Sequence, residues 1–195
     1  MVVCLLSCPS PSEAQGIEVT PLGGYRFGGD FFELITEQPV DLDGAPVVGV
    51  ALNVPLSGRG SYFEGLFTHQ LAHVTVAQRP SSVPVRWAIS VDHWQAGGLQ
   101  EFQRGTVRPF LTGLFGLTRY AADGDNEIRF ALSAGGGVKL IPTRHVGLRL
   151  DSRLFATFVD AQGEAVACTP GVCLVGLDVD IIWQLEFSAG LTVVF

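Results

Sequence analysis

The sequence predicts an all-β fold: an antiparallel, up-and-down transmembrane β-barrel of eight strands. Three observations predict it. Apolar and polar residues alternate with a period of two in run after run, which is the pattern of strands with two different faces. The connections between these runs alternate between short and long, as in a meander whose two ends face different compartments. The chain is also apolar, with 47% hydrophobic residues, 16% charged residues and a mean hydropathy of +0.35.

Composition excludes several other classes of protein. Roughly a quarter of the residues of an ordinary soluble domain are charged, so this chain is short of groups that cover a water-facing surface. No run of about 18 apolar residues is present, which excludes a bundle of membrane-spanning helices. With 12 basic and 19 acidic residues and a pI near 4.9, the chain lacks the electrostatic footprint of a nucleic-acid-binding protein. The 195 residues fit one domain.

The first residues have features of an export signal. A short apolar stretch is followed by small residues at Ser12 and Ala14, the −3 and −1 positions of a cleavage site. We therefore predict a remnant signal peptide at 1–14 and an outer-membrane barrel domain at 15–195. A disordered tail is one alternative, and a lipobox in which Cys8 is acylated is another.

Alternation places eight strands along the chain. The clearest is the last, 181–195, in which apolar residues hold one parity and polar residues the other. The other seven runs begin near Ile17, Val48, Phe63, Val85, Val107, Ile128 and Val146. In the fourth run the apolar parity switches near Asp92, which indicates a β-bulge. Two short strands are the other interpretation of this run, and they would raise the count to ten.

The connections favour an up-and-down layout. The short ones lie at 55–61, 103–106 and 141–145, and the longer or more acidic ones lie at 28–44, 71–84, 121–127 and 159–178. Transmembrane barrels have short periplasmic turns and longer outer loops. A tilted membrane strand needs about 9 to 11 residues, so eight strands leave room for these loops and sixteen do not.

The charges on the polar faces indicate which face lines the lumen. They are Arg26, Arg108, Arg129, Lys139, Arg149 and Arg153 against Glu18, Glu64, Asp92, Glu101, Asp151 and Glu186. An unpaired buried charge costs several kcal/mol, so this balance favours a packed polar lumen and an apolar face toward lipid. A soluble lipocalin-like ligand-binding barrel, with its apolar residues inside, is the alternative.

Several of these charges lie close together on the last strands. We predict a lumen ion-pair network formed by Arg129, Lys139, Arg149, Asp151, Arg153 and Glu186. An eight-stranded barrel is just wide enough for side chains to fill its interior, so no open pore is expected. The network is interpreted as a structural plug, or as a narrow gate that opens to pass small ions.

The remaining charged residues are divided unevenly between the two ends of the predicted barrel. Each short turn contains one arginine, whereas the long connections contain most of the acidic residues. We expect these acidic loops to lie outside the cell, and we hypothesise that they bind divalent cations that bridge lipopolysaccharide. Aromatic residues near the two interfaces fit the girdles of a membrane barrel: Tyr25, Phe27, Phe31, Phe32, Phe102 and Phe195.

No motif for catalysis accompanies this pattern. None of the four histidines stands in a His-x-Ser pair, and there is no G-x-S-x-G, P-loop or H-E-x-x-H sequence. We predict no enzymatic activity and no cofactor, and we assign no residues to a metal site. Gly135, Gly136 and Gly137 lie within a strand, where they give neighbouring side chains room.

Two cysteines bracket a predicted short loop. Cys168 and Cys173 are predicted to form a disulfide after export to an oxidising compartment. A metal site would need a further Cys or His nearby in sequence, and none is present.

Three segments resemble the small outer-membrane β-barrel proteins of Gram-negative bacteria, in the broad OmpA-like group. They are Ile17–Gly29, Val107–Phe110 and Gly135–Lys139. The final strand, ending in Phe195, resembles the C-terminal aromatic signal that such proteins present to the barrel assembly machinery. The resemblance covers 16–195. It implies a monomer in contact with outer-membrane lipid and lipopolysaccharide, with a structural or surface-interaction role.

Overall fold

The computed structural model describes residues 16–28, 30–32, 39–41, 44–76, 85–103, 105–122, 125–159, 165–169, 172–176 and 180–195. The predicted signal remnant at 1–14, with Cys8, lies outside these residues. So do Arg104, the side chains of Phe31 and Phe32, and parts of the long connections.

The described chain contains twelve strands. They are β1 (Glu18–Phe27), β2 (Asp30–Phe32), β3 (Pro39–Asp41), β4 (Ala45–Pro55), β5 (Ser61–Val76), β6 (Val85–Glu101), β7 (Val107–Ala122), β8 (Asp125–Leu140), β9 (Val146–Val159), β10 (Ala165–Thr169), β11 (Val172–Gly176) and β12 (Asp180–Val194). Eight of them close into one barrel in the order β1-β12-β9-β8-β7-β6-β5-β4. The other four form two hairpins, β2–β3 and β10–β11, within the long connections. The prediction of an eight-stranded, all-β barrel is confirmed. No helix among the described residues is long and apolar enough to span a membrane.

Strand β1 closes the barrel because it pairs with β4, the next barrel strand along the chain, and with β12, the last strand. Arg26 lies opposite Ala45 of β4 on one side and opposite Glu186 of β12 on the other. Every neighbouring pair in the barrel is antiparallel. Closure leaves no sheet edge with unpaired backbone groups, which a strand surrounded by lipid requires.

The two faces of each strand differ as the alternation predicts. On β12, Trp183 and Leu191 are 53% and 60% exposed, whereas Gln184 and Glu186 are 1% and 2% exposed. The same division holds on β1, where Phe27 faces outward and Arg26 is fully buried. Apolar side chains thus cover the outside and polar side chains fill the inside, which is the arrangement of a membrane barrel. The soluble alternative, with an apolar interior, is wrong.

Strand β6 corrects one expectation. Its register with β5 and with β7 is unbroken from Ser90 to Gln100, so this stretch contains no bulge. Val91 and His93 are both fully buried in the lumen, whereas Trp94 is 58% exposed on the outer wall. Asp92, which we expected in the lumen, therefore faces outward. The expectation that apolar residues face outward and charged residues face inward fails here, because Val91 lies inside the barrel and Asp92 lies on its outer wall.

One glycine marks a close approach between strands. A Cβ atom on Gly137 would lie 1.9 Å from the carbonyl oxygen of Leu150 and 2.9 Å from the ring of Phe110. Phe110 belongs to a buried cluster with Tyr62 and Leu99 inside the barrel. The missing side chain of Gly137 thus gives the Phe110 ring its space.

Candidate functional site

Among the described residues, the ion pairs in the lumen form three separate clusters. We call them lower, middle and upper, counting from the end of the barrel that has the short turns. Each cluster combines residues from strands that are far apart in sequence. How completely these charged side chains are paired determines whether the interior can hold water or pass ions.

The middle cluster consists of Glu64, Asp151, Arg149 and Arg153. Arg149 donates to Glu64 at 2.7 Å and to Asp151 at 2.5 Å. Arg153 donates to the same two carboxylates at 2.9 Å and 3.1 Å. Asn53 adds a further hydrogen bond to Glu64 at 2.9 Å. Two guanidinium groups and two carboxylates therefore neutralise each other in a space closed to solvent.

The upper cluster is the pair of Arg26 and Glu186. Arg26 donates from Nε and Nη2 to Glu186 Oε2 at 3.0 Å and 2.6 Å, and from Nη2 to Thr68 at 2.6 Å. The Arg26 guanidinium also lies 4.7 Å from the centre of the Phe155 ring. The ring of His93 stacks on Phe155 at 4.5 Å. These contacts fix the arginine from several directions.

The lower cluster is centred on Lys139. Its ammonium group donates to Glu18 at 2.5 Å and to Glu101 at 2.9 Å, and it lies 4.7 Å from the centre of the Tyr62 ring. Arg108, which is 3.8 Å from Glu101, supplies the second positive charge. Two bases and two acids again balance.

Each cluster is thus neutral by itself, and an aromatic ring separates the lower cluster from the middle one. Phe110 lies 5.8 Å from the Lys139 ammonium group and 4.6 Å from the Arg149 guanidinium group. Leu22, Ala51, Leu66, Leu114 and Phe155 form an apolar cluster in the barrel interior. An ion in the lumen would have to displace buried, paired charges at several levels.

The structure distributes the residues of the predicted network over different sites. Arg149, Asp151 and Arg153 lie in the middle cluster and Lys139 in the lower one. Glu186 lies opposite Arg153 in the strand register, but it pairs with Arg26 instead. Arg129 forms an ion pair with Glu127, whose side chain is 54% exposed, near the end of β8 that follows the connection at 123–124.

The sequence predicted the inward charges other than Asp92, and the grouping of Arg149 and Arg153 with Asp151, but not the partners from distant strands. Glu64 joins Arg149 and Arg153 although it lies on the opposite side of the barrel order, and Glu18 meets Lys139 across 121 positions. The period-two alternation showed only that each of these side chains points into the barrel. The choice of partner depends on which strands face each other across the closed barrel.

Two other predicted sites lie outside the lumen. Cys168 and Cys173 are directly opposite each other in the β10–β11 ladder, so the backbone brings the two positions together. The disulfide itself stays a prediction. Phe195 is 77% exposed, and its backbone N–H donates to the carbonyl of Ile17 at 2.9 Å.

No constellation for metal binding is found in the part of the chain that the structure describes. Three or more His, Cys, Asp or Glu side chains do not come together there in a way that would hold a metal ion. The fully buried His93 is hydrogen-bonded to Thr118 at 2.8 Å, in the packed interior.

A closed eight-stranded barrel with an apolar outer wall and a polar, filled lumen defines a transmembrane β-barrel of the bacterial outer membrane. Among solved structures the chain is similar to neisserial surface protein A, with 16% identity, a TM-score of 0.61 and coverage of 92% of this chain and 97% of that one. It also matches Ail of Yersinia pestis, with 13% identity, a TM-score of 0.43 and coverage of 91% and 99%. No family model and no curated protein matches the sequence.

Proposed function

We propose that this protein is an integral outer-membrane barrel with a sealed lumen and a structural or surface-interaction role. The observation that carries the proposal is the division of the lumen into three neutral ion-pair clusters, which are buried except for the partly exposed Arg108. In the middle cluster Glu64 is fully buried and Arg149 is 1% exposed. A conducting lumen would need mobile charges and water at these levels, whereas paired side chains of this kind specify a closed interior.

The surface role is assigned to the end with the long connections. That end contains the hairpins β2–β3 and β10–β11 in addition to the barrel strands. Connecting segments on a rigid scaffold are common sites of binding function. The barrel wall supports these segments and the lumen takes no part in their binding.

Planar-bilayer conductance of the refolded protein tests the sealed lumen. We expect no current steps from the unaltered barrel or from Glu186→Gln, because the other two clusters remain closed in that variant. Folding of each sample is established beforehand by heat-modifiable migration on SDS gels. Current from the unaltered barrel would refute the proposal. Current from Glu186→Gln alone would instead support the gate.

Three partners are part of the proposal: lipopolysaccharide, divalent cations at the acidic loops, and the barrel assembly machinery at Phe195. Protease protection of the loops with and without calcium tests the binding of divalent cations, and unchanged protection would refute that binding.

Deletion of Phe195 tests the assembly signal. We expect less folded barrel in membranes, with unchanged refolding of the purified protein in detergent.

A further inference from the structure

Three polar side chains lie in one row on the lipid-facing wall. His69 of β5 is the register partner of Asp92 on β6, and Asp92 is the partner of Arg119 on β7. All three face outward, away from the lumen clusters. Ionisable groups on a lipid-facing surface are costly, and their position in a membrane protein usually has a functional reason.

In this row the carboxylate is covered and the two basic side chains are accessible. His69 Nδ1 lies 2.6 Å from Asp92 Oδ1, and Arg119 Nη1 lies 3.8 Å from Asp92 Oδ2. The side chain of Asp92 is 12% exposed, whereas those of His69 and Arg119 are 37% and 47% exposed. The surface presented to the surroundings is therefore that of basic groups.

Arg119 is held in place by a second partner. Its Nη2 donates to Asn126 Oδ1 at 2.8 Å, and its Nε donates to the same oxygen at 3.2 Å. These bonds use two of the five N–H groups of a guanidinium, which leaves donors free for another acceptor. A guanidinium fixed in this way can bind two oxygens of a phosphate group at once.

An apolar row lies directly beneath the polar one. Its register partners are Phe67, Trp94 and Leu117 on the same three strands. Trp94 is 58% exposed and its ring lies 4.2 Å from that of Phe67. Tryptophan is enriched where the apolar core of a membrane meets its headgroups.

The position of the polar row along the membrane normal agrees with the boundary between the apolar core of the membrane and the headgroups. Asp92 lies nine residues from the periplasmic end of β6 at Glu101. With a rise of about 3.4 Å per residue and a tilt of about 40°, this corresponds to roughly 23 Å along the membrane normal. The apolar band of such barrels is about 25 Å tall, so the row reaches the headgroups of the outer leaflet.

We infer that Arg119 and His69 bind the phosphate group of an outer-leaflet lipid. Asp92 positions both side chains, and the lipid's acyl chain lies on the surface of Trp94, Phe67 and Leu117. A lipid phosphate fits better than a free phosphate, because only the lipid also covers the apolar row. This inference rests on the membrane orientation of the wall and is independent of whether the lumen conducts.

Native mass spectrometry of the refolded barrel in detergent tests the site, with phosphatidic acid as the probe. Diacylglycerol with the same acyl chains is the control lipid that lacks the phosphate. We expect retention of phosphatidic acid and not of diacylglycerol. Arg119→Gln should weaken the apparent affinity for phosphatidic acid about tenfold, which is the loss expected for one charge-assisted contact.

Arg59→Gln is the matched control variant, because Arg59 is an exposed arginine in the turn at the opposite end of the barrel. It should bind phosphatidic acid as the unaltered protein does. Equal weakening by the two variants, or none by Arg119→Gln, would overturn the site. Displacement of the lipid by an equal concentration of inorganic phosphate would show a free-phosphate site and refute the lipid. If Arg119→Gln does not fold, Arg119→Lys retains the charge and should show a smaller but measurable loss of affinity. Unchanged affinity of the lysine variant would then overturn the site.

Discussion

Replacement of Glu64 by glutamine tests the lumen most directly. Glu64 is fully buried and accepts hydrogen bonds from Arg149, Arg153, Asn53 and Thr112 at 2.7, 2.9, 2.9 and 3.2 Å. Glutamine has nearly the same shape but no charge. The middle cluster then contains two guanidinium groups and one carboxylate, with a net charge of +1 in a space closed to water.

The expected loss of stability follows from these contacts. Hydrogen bonds to charged groups contribute about 1.5 to 3 kcal/mol each, and two of the four come from guanidinium groups. The glutamine oxygen still accepts hydrogen bonds, which recovers part of this. Removal of one partner from a buried ion pair typically costs about 3 to 5 kcal/mol, and we expect Glu64→Gln to fall in that range.

Urea-induced unfolding in lipid vesicles, followed by tryptophan fluorescence, measures the change. Glu127→Gln is the matched control because Glu127 also pairs with an arginine but is 54% exposed. We expect that variant to lose less than about 1 kcal/mol. Addition of Arg153→Gln to Glu64→Gln should restore neutrality and cost less than the sum of the two single changes. Equal stability of Glu64→Gln and Glu127→Gln would refute the reasoning.

Three further predictions concern the wall, the strand packing and the outer hairpin. Gly137→Ala should destabilise the barrel by about 1 to 3 kcal/mol, because its Cβ would collide with the Leu150 carbonyl. Gly113→Ala, where no atom lies within 4 Å of the added Cβ, should not destabilise it; equal effects in urea unfolding would contradict the packing argument. In a Trp87→Phe background, lipids brominated in their acyl chains should quench Trp94 and Trp183, which are 58% and 53% exposed; unquenched emission would contradict a lipid-facing wall. Thiol titration of the exported protein should find Cys168 and Cys173 without free thiols, and two free thiols would exclude the disulfide.

The strands of the barrel could be predicted from the sequence because each strand separates two different surroundings. Trp183 and Gln184 are neighbours in sequence, yet one contacts lipid and the other lies in the lumen. A period of two records this difference at nearly every position. The alternation of short and long connections predicted the up-and-down order, although the connection expected at 121–127 is only 123–124, because β7 and β8 extend into it.

Partners within the lumen could not be predicted in the same way. Parity shows that Glu64 points inward, but its contacts with Arg149 and Arg153 depend on the strand order around the closed barrel and on side-chain length. Asp92 shows the converse limit. Its charge indicated the lumen, whereas its cross-strand neighbours His69 and Arg119 stabilise it on the outside. The alternation within one strand does not contain information about residues on the neighbouring strands.

The neutral clusters also constrain how the barrel enters a membrane. Glu18 and Lys139 are 121 positions apart, Arg149 and Glu64 are 85 apart, and Arg26 and Glu186 are 160 apart. A single hairpin crossing the bilayer would therefore expose some unpaired charges to hydrocarbon, because Glu18, Glu64 and Glu186 have their basic partners on distant strands. Strand insertion one hairpin at a time is accordingly unfavourable. We therefore expect strand insertion to be coupled to closure of the barrel, and contacts of such long sequence separation favour slow folding.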